Sequence, residues 1–205
     1  NLLECCRKIR PEVLFFTSSA AVCPVRDEPL SEDVPVGPID ICGLTKVIGE
    51  DLTTLFHLET GVRTIIARFF NVYGPNDTNP HVIPEITRQL KSGSREVELG
   101  NLLPKRDFIY IQDVIDAVLR LLERFDGEFD IFNIGSGREH SVSDIVEFCS
   151  QILGEEIRVR QAKERIRRVE RMHLLANIKI IQKAIGWSPK IDLREGLKKL
   201  LLDAY

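Results

Sequence analysis

The chain has 205 residues, and its 43% hydrophobic content is enough for a sizeable core in one large domain or two small ones. Its 28 basic and 31 acidic residues leave a net charge of −3, unlike the strongly basic proteins that bind nucleic acid or anionic membranes. No apolar run approaches the roughly 20 residues of a membrane span, and no signal-peptide pattern is visible.

Asn1 to Glu4 opens directly in a helical pattern, which reads as a chain entered partway through, and residues 2–9 continue as an amphipathic helix. Val13-Leu14-Phe15-Phe16 is a continuous apolar run, expected for a parallel strand buried on both faces; Thr17-Ser18-Ser19 closes it. A loop rich in proline and acid follows from Pro24 to Pro38. The next helix runs from about Gly43 to Glu59, with Leu44, Val47, Ile48, Leu52, Leu55 and Phe56 on one face and Gly61 in the stop position. Thr64 to Ala67 is a second buried strand, closing with Arg68-Phe69-Phe70-Asn71. Strand, helix and strand at this spacing form a βαβ unit.

Beyond Gly74-Pro75 the spacing predicts a helix over Val82–Leu90 and a strand over Glu96–Leu99. It predicts an extended Ile109–Ile111, a helix from about Gln112 to Arg124 and a strand over Phe129–Ile134. Ser141 with Asp144 and Asp192 with Glu195 read as the N-terminal caps of two further helices. The class is α/β. The five cysteines, Cys5, Cys6, Cys23, Cys42 and Cys149, are odd in number and show no CxxC pair, which points to reduced thiols in a cytoplasmic protein. His57, His81, His140 and His173 lack the spacing of a metal site or a catalytic triad, so no metal is expected.

Six stretches carry the chemistry: Phe16-Thr17-Ser18-Ser19-Ala20-Ala21-Val22, Cys42-Gly43-Leu44-Thr45-Lys46, Ala67 to Pro75, Lys105 to Val114, Phe132 to Gly137, and Gly186-Trp187-Ser188-Pro189. In that order they resemble the extended short-chain dehydrogenase/reductases, and specifically the NAD-dependent epimerase/dehydratase family, in its UDP-glucose 4-epimerase-like branch. The resemblance covers the last two-thirds of a family member. The GxxGxxG turn that cradles the dinucleotide pyrophosphate in the family is absent from this sequence.

The resemblance implies a partial Rossmann-type parallel sheet at 1–75 and 107–135, with a smaller α/β substrate-binding domain from 76–106 and 136–205. It implies NAD, or NADP, as cofactor, a UDP-sugar or other nucleotide sugar as substrate, and a homodimer through the helix that includes Lys46. The family reaction is hydride transfer from sugar C4, with a tyrosine removing the hydroxyl proton and a lysine four residues on tuning it and holding the nicotinamide ribose.

Lys46 matches that lysine, Ser19 the hydroxyl that helps the proton move, and Phe69 falls in the cofactor-binding stretch. The tyrosine position is Cys42. A thiol's ordinary pKa of about 8.5 suits proton transfer, but it sits one bond beyond Cβ, far short of a phenol's reach. The alternative is a small residue opening a helix with no chemical task. Asn71 and Arg106 match groups that grip the nucleotide diphosphate, and Arg167, in the basic run Arg165 to Arg171, is the second clamp in the best register. Ala20 and Ala21 stand where 4,6-dehydratases carry carboxylates, favouring an epimerase. The stretch Gly100 to Asp107 resembles a dehydratase segment and keeps that alternative open, beside a degenerate homologue that binds without turnover.

Overall fold

The computed structural model describes residues 1–165 and 170–203. Its central element is a three-stranded parallel sheet in the order β1-β2-β6, formed by β1 (Val13–Ser19), β2 (Arg63–Phe69) and β6 (Phe129–Ile134). The βαβ unit is present: β1 runs into the 20-residue helix α2 (Ile41–Thr60), which returns the chain to β2. Asp40 caps α2 by accepting a hydrogen bond from Gly43 N at 2.7 Å, and Gly61 ends it with φ 68°.

α1 (Leu2–Ile9) precedes β1 and contributes the buried Cys6 to a small cluster with Phe56 and Val62. On one face of the sheet, α4 (Ile111–Arg124) and the later α6 (Lys179–Ile185) enclose Ile65, Phe132, Ile134 and the fully buried Trp187.

Two smaller sheets complete the strands. One joins β3 (Asn71–Tyr73), β5 (Lys105–Tyr110) and β7 (Glu139–Ser141); the other pairs β4 (Glu96–Leu99) with β8 (Arg158–Gln161) in parallel. α3 (Val82–Lys91), α5 (Val142–Leu153) and α7 (Leu193–Leu202) surround a second core built on Ile83, Ile86, Val97, Phe108, Ile145 and Leu197. The Ser141–Asp144 box at the start of α5 is complete, with bonds of 3.0 and 2.8 Å in the two directions.

Two expectations about burial are corrected. The apolar stripe of α2 does not face the core: Leu44, Ile48, Leu52 and Leu55 are exposed, while Gly43, Glu50, Thr53 and Phe56 are buried. Close approach decides this. A Cβ on Gly49 would overlap the Phe16 ring and one on Gly43 the Ala21 carbonyl, so the glycine side of the helix lies against the sheet and the leucines turn outward. Strand β1, in turn, is half-buried at Val13 to Phe16, because it is the edge of the described sheet, whereas β2 is covered on both faces. Among the described residues, no helix is long and apolar enough to cross a membrane.

Candidate active site

Parallel strands present their residues in rows across the sheet, and two such rows at the carboxyl ends of β1, β2 and β6 build the site. Ser18, Arg68 and Asn133 are in register, as are Ser19, Phe69 and Ile134 in the next row. The first row is buried and structural. Arg68 donates to Glu50 of α2 from Nε at 2.9 Å and from Nη2 at 2.7 Å, and Ser18 Oγ donates to the same carboxylate at 2.5 Å. Burial works against the Arg68 charge, but the Glu50 bonds and charge outweigh it and hold its pKa above the ordinary value. Asn133 donates to Leu30 O at 2.8 Å, and its backbone N–H donates to Glu32, whose pKa burial raises.

In the second row Ser19 and Phe69 line cavities, while Ile134 is buried in the core. Ser19 Oγ accepts from Ala21 N at 3.2 Å, capping the 3-10 turn Ala20–Val22 that follows β1. The main cavity, about 1010 Å³, is lined by Ser19 and Cys42 together with Asn71, Arg106, Arg165 and Glu170. A smaller adjoining one, about 350 Å³, shares Ser19, Phe70, Asn71, Arg106 and Glu170 with it and adds Phe69, Asp40 and Arg171.

Six of the seven residues singled out from the sequence can therefore be placed. Ser19, Cys42, Asn71 and Arg106 open on one cavity. Among the described residues, the buried Asn71 Oδ1 has no hydrogen-bond partner. Phe69 lines the smaller cavity. Lys46 is half-buried on α2; its Nζ donates to Thr17 O at 2.6 Å and lies 5.4 Å from the Phe16 ring centroid. Arg167 lies outside the described residues. Its neighbour Arg165 is engaged with Glu85 at 3.2 Å and Glu98 at 3.3 Å. Arg171, grouped with the basic run in the sequence, instead points into the protein and bonds backbone carbonyls.

Asp107, to which its motif assigns no role, is a principal organiser. It is fully buried and accepts from Ser136 N and Oγ at 2.6 Å each, Gly137 N at 2.9 Å and Ala176 N at 3.2 Å. Burial pushes its pKa up to about 6 against those four donors. No signal within its own stretch identified that task, since its partners lie 29 to 69 residues away.

The residues present fit one end of a dinucleotide. Ser19 and Phe69 are in register at the carboxyl ends of parallel strands, where open α/β sheets bind ligands, and Lys46 is tied from α2 to Thr17 O of β1 but lines neither of the two cavities; the sequence contains no GxxGxxG for the pyrophosphate. Among the described residues, no group of three or more His, Cys, Asp or Glu could hold a metal ion. All five cysteines are free thiols.

A parallel sheet, a serine at a strand end beside a nucleotide-sized cavity, and a lysine on the following helix bonded back to that strand define a short-chain dehydrogenase/reductase-like fold. The model of the NAD dependent epimerase/dehydratase family matches residues 1–135. The chain belongs to that family.

It is 32% identical to a putative UDP-glucose 4-epimerase of Methanocaldococcus jannaschii over 98% of this chain and 66% of that protein. It is 29% identical to a GDP-6-deoxy-D-mannose reductase of Pseudomonas aeruginosa over 85% of this chain and 59% of that protein. Among solved structures, the UDP-glucuronic acid 4-epimerase of Bacillus cereus in complex with UDP-glucuronic acid and NAD superposes with a TM-score of 0.88 at 27% identity, covering 96% of this chain and 62% of that one. The chain thus spans about three-fifths to two-thirds of the length of these relatives.

Proposed function

We propose that this chain is the catalytic-helix and sugar-nucleotide-binding part of an NAD(P)-dependent nucleotide-sugar epimerase, acting at C4 of a UDP-hexose. The observation that carries the reading is the shared cavity: Ser19, Cys42, Asn71 and Arg106 all line one space of about 1010 Å³. That volume is at the upper end of the range of small-molecule pockets, suited to a nucleotide sugar. The relatives support the class, two being described as 4-epimerases and one as a reductase.

In this reading Arg106 faces the diphosphate, with Arg167 as its second cation, and Asn71 hydrogen-bonds the same group. Ser19 holds the C4 hydroxyl. Lys46 and Phe69 hold the nicotinamide end of the cofactor, and bound NAD supplies the hydride acceptor. Asp40 caps the helix, placing Cys42 in its first turn. The thiol is short, and a water bridges it to the sugar in this scheme, which predicts slow proton transfer. The proposed arrangement is a discontinuous sheet domain at 1–75 and 107–135, a substrate domain at 76–106 and 136–205, and a homodimer through α2.

Calorimetry with UDP-glucose, UDP-galactose and UDP tests the binding half. Submillimolar affinity that falls on Arg106→Ala is expected, and no affinity for any of the three sinks the reading. For the chemistry, Cys42→Tyr beside the natural chain is assayed for UDP-glucose/UDP-galactose interconversion with NAD and the remaining family-length region supplied. A faster Cys42→Tyr supports an epimerase. Binding without turnover in either form favours the second reading, a nucleotide-sugar-binding homologue, for which Cys42 itself is the supporting observation.

A further inference from the structure

Residues 171–177 lie between two parts of the site. On one side Lys105 N donates to Met172 O at 2.7 Å and Asp107 N to Leu174 O at 2.8 Å, so the segment is laced to the strand that carries Arg106. On the other side Leu30 N donates to Leu175 O at 2.8 Å and Asn177 N to Leu30 O at 2.9 Å. Arg171 opens this segment and is only 7% exposed. Its Nη1 donates to Cys23 O at 2.6 Å and Pro24 O at 3.1 Å, and its Nη2 to Ala21 O at 3.1 Å.

All three acceptors belong to the turn that follows Ser19. Ala21 is doubly tied, since its N–H also caps onto Ser19 Oγ. Its carbonyl further lies against Gly43, at a distance that leaves no room for a Cβ. The Ala21 carbonyl is therefore held between the Arg171 guanidinium and the first turn of α2, next to Cys42. The carboxylate that acts on the Arg171 charge is Asp40, whose Oδ1 is itself engaged in capping α2. An apolar side chain would avoid the desolvation of a buried cation but would leave three carbonyls without their donor, whereas the fixed fork of the guanidinium reaches all three from two nitrogens.

We infer that Arg171 is a positioning residue, holding Ser19 and the Cys42-bearing start of α2 in one frame with Arg106. The inference rests on the functional reading above and deepens it: the sugar end and the diphosphate end of the cavity keep their spacing through this one guanidinium.

The test compares Arg171→Met and Arg171→Lys with Ile145→Ala, a cavity variant in the other core, at 0% exposure in the natural chain. Hydrogen exchange by mass spectrometry follows peptides spanning 19–25 and 41–45. In Arg171→Met both are expected to exchange roughly tenfold faster than in Ile145→Ala, as a locally opened unit does. Arg171→Lys, which keeps the charge without the fork, is expected to fall between, and it carries the comparison if Arg171→Met does not fold.

Exchange in the Arg171 variants no faster than in Ile145→Ala overturns the inference, and so does acceleration confined to 19–25. Calorimetry with UDP-glucose runs in parallel, with affinity expected to fall about tenfold further in Arg171→Met than in Ile145→Ala. If the natural chain binds no UDP-glucose, the functional reading fails, while the exchange data still decide whether Arg171 sets the frame. If it binds and Arg171→Met binds equally well, the positioning role is wrong.

Discussion

Removing the Glu50 carboxylate is expected to be among the most destabilising single changes in this chain. The side chains of Glu50 and Arg68 are 6% and 4% exposed, so neither charge is solvated by water. In Glu50→Ala, Arg68 loses bonds of 2.9 and 2.7 Å and keeps one of 3.2 Å to Glu32 O, while the buried Ser18 hydroxyl loses its acceptor. Breaking a buried pair from one side costs about 3–5 kcal/mol, because a charge is left buried and uncompensated. Against a typical domain stability of about 5–15 kcal/mol this is a large fraction. For a chain of this size it corresponds to a Tm lower by roughly 6–20 °C.

Urea denaturation is a suitable assay, because the single Trp187 is fully buried and its fluorescence reports unfolding. Circular dichroism of the helices provides the second probe of two-state behaviour. The double change Glu50→Leu with Arg68→Met removes both charges together and is expected to recover most of the loss, since the pair's attraction largely offsets its own desolvation. A Glu50→Ala loss below about 1 kcal/mol, or a double variant no more stable than the single one, would refute the reasoning.

Ser18→Ala and Ser19→Ala should separate structure from site. The first is expected to cost about 1–3 kcal/mol, since Ser18 is buried on Glu50, and the second nearer 0.5–1 kcal/mol while weakening UDP-sugar binding more; the opposite order in urea titrations would reverse the assignment. Asp107 has a folded pKa raised from 3.8 to about 6, so its contribution is fully present below pH 3.8 and lost as pH rises through 6. That is a fall of about 3 kcal/mol in unfolding free energy across that window, and Asp107→Asn should flatten the slope whatever it does to the level. Among the described residues Tyr73 Oη, buried against Gly196, has no hydrogen-bond partner, so Tyr73→Phe should be neutral or stabilising by up to about 1 kcal/mol. Gly196→Ala should cost about 1–3 kcal/mol by overpacking, and less in the Tyr73→Phe background, as thermal melts of the four variants would register.

Much of the architecture was legible in local pattern. The continuous apolar runs at Val13–Phe16 and Thr64–Ala67 are strands, Gly61 stops α2, and Ser141 with Asp144 forms the box that its spacing announced. Short elements escaped. β8 (Arg158–Gln161) is polar and largely exposed, and α6 (Lys179–Ile185) is only seven residues long, so neither carries a strong period. The bridge between Leu30 and Ala176 spans 146 positions and lies inside a stretch that reads as loop.

Sequence alone determined the family, because motif spacing records which side chains a βαβ unit delivers to one sheet edge. Ser19, Cys42, Asn71 and Arg106 indeed open on one cavity. Tertiary structure alone decided the tasks. It separated Ser18 from Ser19 by one row of the sheet, turned the leucines of α2 outward through the close contacts of Gly43 and Gly49, and drew Arg171 out of a basic run into the protein. Each of these depends on partners distant in the chain, and periodicity describes which way a residue faces on its own element without saying what stands opposite.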